Sequence, residues 1–263
     1  MAVVIPTRSI TAPSITPLAG TLLDAANLVS GIAWLDPDNG LFESYNCLVT
    51  DREATWPCPG DVVTGAKTFS HPDWMDGVKF AVYAGVECKL DDSAEELASA
   101  QRVFEARESV GVERAFMETL LQGATDVTPA GGPVVPEVGL AILEGHAATT
   151  YAGVPTIHAP RSIGSILMTR TAAHSEGGAF YTEQGSKLAS GGGYNATNLS
   201  PAGAAPAAGS LWMYATGEVV VARGDVVAKN DLNRVTNETR VLVERPYVAA
   251  IDCYKSAVRV TVA

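Results

Sequence analysis

Between Ser93 and Gln122 the chain carries no proline and a single glycine, Gly111. Leu97, Ala100, Val103, Phe104, Val110, Met117 and Leu121 recur there at three-, four- and seven-residue spacing, which predicts a helix with one apolar stripe turned toward a packing partner. Ser93 with Glu96 reads as a capping box at its start, and Gly123 supplies a left-handed residue to end it. At 1.5 Å per residue such a helix reaches about 45 Å. It is too charged for a membrane, and its place among strands makes it a spar on which sheets are hung.

On both sides of the spar the pattern changes to that of strands. Residues 45–50, 61–69 and 77–88 carry Val, Phe, Tyr and Cys between turn-formers such as Pro57, Pro59, Gly60, Pro72 and Gly77. The stretch 60–84 reads as a long hairpin with its tip near residues 70–73. Lys67, Phe69, Trp74 and Phe80 on that arm are a contact surface or a local core, since large aromatics left in water mark one or the other. C-terminal to the spar, residues 126–133 form a Pro/Gly-rich linker read as a subdomain boundary. Residues 136–152 read as a helix with proline in its first turn, 154–159 as a strand and 162–173 as another helix. Residues 185–193 and 195–209 read as loop. Strands return at 211–215, 219–221, 226–227, 239–250 and 257–262. The fold class is α+β.

Residues 1–45 hold Pro6, Pro13 and Pro17 among Ile, Thr, Ala and Ser. The prolines bar a long helix or a central strand, leaving room for a short helical piece within 18–28. This segment is expected to lie extended across another surface.

Composition narrows the class. The 263 residues, 47% hydrophobic and 18% charged, describe a folded chain of one or two domains. A net charge of −11 argues against a reader of nucleic-acid grooves or a binder of anionic membranes, both of which need a basic face. The start lacks the basic region of a signal peptide and no run reaches transmembrane length, so folding in the cytosol is expected. Cys47, Cys58, Cys88 and Cys253 form no CxxC pair and are expected to be reduced thiols, and no spacing supports a metal site.

Candidate chemistry is sparse. No nucleophile elbow, phosphate loop, zinc-binding helix or dinucleotide fingerprint is present. The Gly191-Gly192-Gly193 run reads as a flexible loop. His146 and His158 qualify as general bases by residue type alone. Asp91, Asp92, Glu95 and Glu96 complement the dipole at the helix start.

The order of parts resembles the major capsid proteins of tailed bacteriophages, the Hong Kong 97-like fold. Particular stretches resemble the versions from actinobacterial phages: Phe80-Ala-Val-Tyr-Ala-Gly-Val-Glu-Cys88, Gly111-Val-Glu-Arg-Ala-Phe-Met117, Thr156-Ile-His-Ala-Pro160, Trp212-Met-Tyr-Ala-Thr-Gly-Glu-Val219, Val243-Glu-Arg-Pro-Tyr-Val248 and Asp252-Cys253. The resemblance implies an N-arm over residues 1–45, an E-loop hairpin over 46–90, a peripheral domain from 91–125 with 211–263, and an axial domain over 126–210. It implies a structural, non-enzymatic subunit of an icosahedral virion head. That subunit is made in the host cytoplasm, associates with itself in pentamers and hexamers, and encloses double-stranded DNA without reading its sequence. Portal and decoration proteins are implied partners; no cofactor and no membrane are implied. The spar is reached before residue 100, which leaves no room for the scaffolding domain many relatives carry and implies a separate scaffolding protein or none. Lys67 and Lys79 fall where some relatives crosslink, without a matching asparagine.

On this reading Ile10, Ile15, Lys67, Phe69, Trp74 and Phe80 are the assembly contacts. Residues 1–45 and 60–84 should make few contacts within their own subunit, and removing 1–45 should leave a folded subunit. The acidic residues between Asp91 and Glu118 outnumber Arg102, Arg107 and Arg114, which suggests a face that repels packaged DNA. Two other readings stay open: an encapsulin-type nanocompartment shell, and a soluble acidic hydrolase using His158 or His146.

Overall fold

A computed structural model describes residues 15–31, 41–44, 73–89, 93–151, 153–233 and 238–262. Their organising element is helix α2 (Ser93–Thr119), 27 residues or about 40 Å long. Its end widens, the Leu120 amide donating to the Phe116 carbonyl at 3.0 Å and the Leu121 amide, five residues on, to the same carbonyl at 3.2 Å. Gly123 then takes the left-handed conformation, φ +71°, and donates its amide to the Pro201 carbonyl at 2.8 Å. Lys255 Nζ donates to the carbonyls of Leu120 and Gln122 at 3.2 and 2.5 Å, covering acceptors that a helix end leaves without partners. Gly123→Ala should therefore cost about 1–2 kcal/mol, because only the left-handed φ is strained and the space itself is open. Denaturant titration of the variant checks this. Ser93 is itself the first helical residue, and the residue before it lies outside the described residues.

A five-stranded sheet lies against this helix. Its axis is β13 (Glu238–Ile251), paired antiparallel with β4 (Val78–Lys89) on one side. On the other side β13 pairs with β12 (Val227–Asn233) and then β11 (Val219–Arg223), and β1 (Asn27–Ser30) adds parallel to β11. Strand β4 follows the two-residue period: Phe80, Val82, Ala84 and Val86 are half-buried, while Lys79, Tyr83 and Glu87 are exposed. Its inner face joins Val241 and Val243 of β13 and Ala100 and Phe104 of α2 in one cluster. A separate pair, β2 (Leu41–Ser44) with β3 (Asp73–Asp76), runs antiparallel.

The second sheet has seven strands in the order β5 (Thr125–Asp126), β14 (Lys255–Thr261), β10 (Ser210–Thr216), β6 (Thr156–His158), β9 (Lys187–Ala189), β8 (Ala179–Thr182) and β7 (Ala173–Glu176). Helices α3 (Pro136–Thr150) and α4 (Arg161–Thr169) supply Leu140, Leu143, Ile163 and Leu167 to a core with Ile157, Leu188, Met213 and Val258. A further cluster gathers Val112, Phe116 and Met117 of α2, Leu121 just past its end, Trp212 and Tyr214 of one sheet, and Val221 and Tyr247 of the other. The C-terminal half of the spar thus ties the two sheets together.

Several expectations are corrected. The start of the stretch 126–133 is not a free linker: Thr125–Asp126 pairs with β14, and the Val127 amide donates to the Ala257 carbonyl. Residues 211–263 do not stay together, because β10 and β14 join the sheet built from the preceding segment. The β7–β8 hairpin was not expected, and Gly191–Gly193 is a packed turn opening helix α5 (Gly192–Ala196), not a flexible loop. The acidic residues of α2 do not make one face: Glu96 and Glu113 are buried, and Glu108 is bound by Arg245 and the Tyr247 hydroxyl. Cys253 is disulfide-bonded rather than reduced. Sequence spacing carries no information about which thiols a fold brings together.

Candidate functional site

The described part of the N-terminal segment enters the body and is held at a buried polar centre on α2. The Ser190 amide donates to the Gly20 carbonyl (2.7 Å), and Arg161 Nη1 donates to the carbonyls of Ala19 (2.6 Å) and Ser190 (3.0 Å). The Arg161 guanidinium also sits 5.0 Å over the Phe180 ring. Thr21 precedes α1 (Leu22–Ala25) and closes a capping box with Asp24, its amide and hydroxyl donating to Oδ2 at 2.8 and 2.9 Å. Leu22 is fully buried against the spar. Residues 19–26 are therefore part of this subunit's own core, contrary to the expectation of an arm with few internal contacts.

Glu113, fully buried in mid-helix, fastens two of these pieces. Its Oε1 accepts the Leu22 amide at 3.1 Å and its Oε2 the Gly193 amide at 2.8 Å. Burial pushes its pKa up to about 7, against the lowering effect of the two amides and of Arg161. Beside it Tyr194 is fully buried, its hydroxyl 2.9 Å from His158 Nδ1, while His158 Nε2 lies 2.9 Å from Thr216 Oγ1. The imidazole stacks on Phe116 at 5.1 Å, and burial lowers its pKa to about 3, so it stays neutral. With both ring nitrogens engaged and no solvent contact, His158 is a structural link between β6, α5 and β10. His146 Nδ1 lies 3.0 Å from the Tyr254 hydroxyl, which in turn meets Ser256 Oγ at 2.7 Å. The two histidines named as candidate bases are thus brought to separate places.

Of the expected contact residues, Ile15 is 66% exposed. Phe80 departs from the expected exposure: it is half-buried and stacks on Tyr247 at 5.5 Å within its own chain. Its position on the inner phase of β4 explains why. Trp74 belongs to β3, in register with Glu43, and its side chain lies outside the described set, as do Ile10, Lys67 and Phe69 altogether. Sequence reasoning missed a more prominent exposed aromatic, Tyr83, 70% exposed on the outer phase of β4. It borders a groove of about 270 Å³ between β4 and α2, lined among others by Val103, Phe104, Arg107 and Arg114. Strand alternation alone marks Tyr83, since it is out of phase with Phe80 and Val82.

Among solved structures the chain is similar to the mature capsid of bacteriophage PhiM1 (10% identity, TM-score 0.55, covering 100% of this chain and 93% of that one). It is similar also to the capsid of a native GTA particle (12%, TM-score 0.57, 99% and 96%). An encapsulin complex from Synechococcus elongatus matches with 12% identity and TM-score 0.51, covering 95% and 91%. No protein-family model and no curated protein matches the sequence. The chain has the fold of phage capsid subunits, the Hong Kong 97-like fold that the sequence resemblance implied.

Proposed function

We propose that this chain is the major capsid protein of a tailed bacteriophage, a structural subunit that closes with copies of itself into an icosahedral head around double-stranded DNA. The observation that carries this is the match of the whole chain, end to end, with capsid subunits of nearly the same length. The parts fit a shell subunit in physical terms. A long helix packed on two sheets gives a stiff subunit, and exposed apolar groups such as Ile15, Tyr83 and Val154 are available for neighbours to cover. We assign the peripheral domain to α2 with β4, β11, β12 and β13, and the axial domain to the seven-stranded sheet with α3 and α4. Relative to the division drawn from sequence, β10 and β14 move to the axial part. Residues preceding α1 are assigned as the N-arm, and residues between β2 and β4 as the E-loop.

The encapsulin match supports a second shell reading, that of a nanocompartment. The purified protein is expected to sediment as closed particles of uniform diameter, seen by negative-stain microscopy as pentamers and hexamers of one chain, with nuclease-protected DNA when taken from virions. Particles enclosing an enzyme in place of DNA would favour the encapsulin reading, and a monomer under every condition, scaffold included, would refute both.

A further inference from the structure

We propose that Glu113 is a proton-linked latch, whose protonation fastens the N-terminal segment Ala19–Ala26 onto the spar helix and whose ionisation loosens it. The inference goes beyond shell formation and rests on geometry. The carboxyl is fully buried, yet it meets only two amide donors, from Leu22 and Gly193, which belong to two different segments. No ion pair to Glu113 occurs among the described residues. A carboxylate withdrawn from water with so little compensation favours the neutral form.

The charged and titratable groups around it leave that imbalance in place. From α1, Asp24 adds negative charge and is already engaged with Thr21. From α4, Arg161 acts at a distance, its guanidinium spent on the carbonyls of Ala19 and Ser190. From α5, Tyr194 directs its hydroxyl to His158, which is neutral. On α2 itself, Arg114 turns to Thr197 Oγ1 at 3.2 Å. From β13, Arg245 and Tyr247 are taken by Glu108, and on β4 Lys79, Tyr83 and Glu87 lie on the exposed phase.

The sign follows from the raised pKa. Undocking the segment hydrates Glu113 and returns it toward 4.5, whereas docking holds it near 7. The docked form therefore binds the extra proton between those two values, so docking is strongest below about 4.5, weakens as pH rises through 7, and is constant above. The full span, from 4.5 to about 7, is on the order of three-hundredfold in the docking equilibrium, most of it above pH 5.

Hydrogen exchange on the intact chain from about pH 5 to pH 8.5, expressed as protection factors corrected for intrinsic rate, tests this. Amides of Leu22–Ala26 should lose protection with rising pH, up to about a hundredfold, while the core strand Ser210–Thr216 stays unchanged. In Glu113→Gln the slope should vanish. A flat wild-type profile, an equal slope in the Gln variant, or a parallel loss in Ser210–Thr216 would each overturn the proposal. Should the Gln variant fail to fold, proteolytic cleavage of wild-type chain within residues 15–26 serves instead. A rate rising with pH beyond that of a free peptide of the same sequence supports the latch, and a rate tracking the free peptide overturns it.

Discussion

Leu22→Ala should lower the stability of the subunit by about 2–5 kcal/mol, a fall in Tm on the order of 10 °C for a chain of this size. Leu22 is fully buried in the same cluster as Val112, Phe116, Ala189 and Tyr194, where α1 packs on the spar, β9 and β8. The small residue would leave a cavity at a junction whose walls come from three separate elements and cannot collapse together. Deletion through Ser30 should be worse. It removes Leu22 and Ala25 from the core, strips β1 from β11, and takes away one of the two amides that Glu113 accepts. This reverses the outcome expected from sequence for loss of residues 1–45, a folded but non-assembling subunit. Calorimetry or denaturant titration of the two variants decides it; a deletion through Ser30 with unchanged Tm would show that the anchoring contacts contribute nothing.

Gly193→Ala should be the second large effect, costing at least about 1–3 kcal/mol. A Cβ at this position would stand 2.5 Å from the Val110 carbonyl oxygen and 3.0 Å from the Arg114 amide nitrogen, both backbone atoms of the spar, as well as against the Glu113 side chain. Backbone on both sides gives the clash no flexible group to push aside, so α5 must move off the helix. Its movement would break the amide bond to Glu113 and disturb the Tyr194–His158–Thr216 chain. Gly145→Ala, on α3 with nothing within 4 Å of the added carbon, is the control and should be neutral to slightly stabilising. Equal Tm values for the two variants would contradict the close packing of α5 on the spar.

The local patterns were legible because they depend on neighbours in the chain. Three- and four-residue spacing marked α2, Gly123 marked its end, Pro136 marked the start of α3, and runs of strand-forming residues marked β4, β10 and β13. Buried Glu113 was also within reach of the sequence, since it stands three residues after Val110 and four before Met117, on the apolar side of the helix. Its charge suggested a solvated position and hid that signal. The rest required tertiary structure. Which sheet receives β10 and β14 depends on pairing between strands far apart in sequence, and a strand pattern names no partner. The same holds for Thr125–Asp126, whose Pro/Gly-rich surroundings resemble a free linker until β14 is beside them, and for Gly191–Gly193, where absent side chains mean flexibility in isolation and close approach against the spar. The sequence by itself determined the elements and their faces, through short-range sterics and periodic burial. Only the tertiary structure decided how the N-terminal segment is anchored, because a buried carboxylate 91 residues away supplies the acceptor for its Leu22 amide.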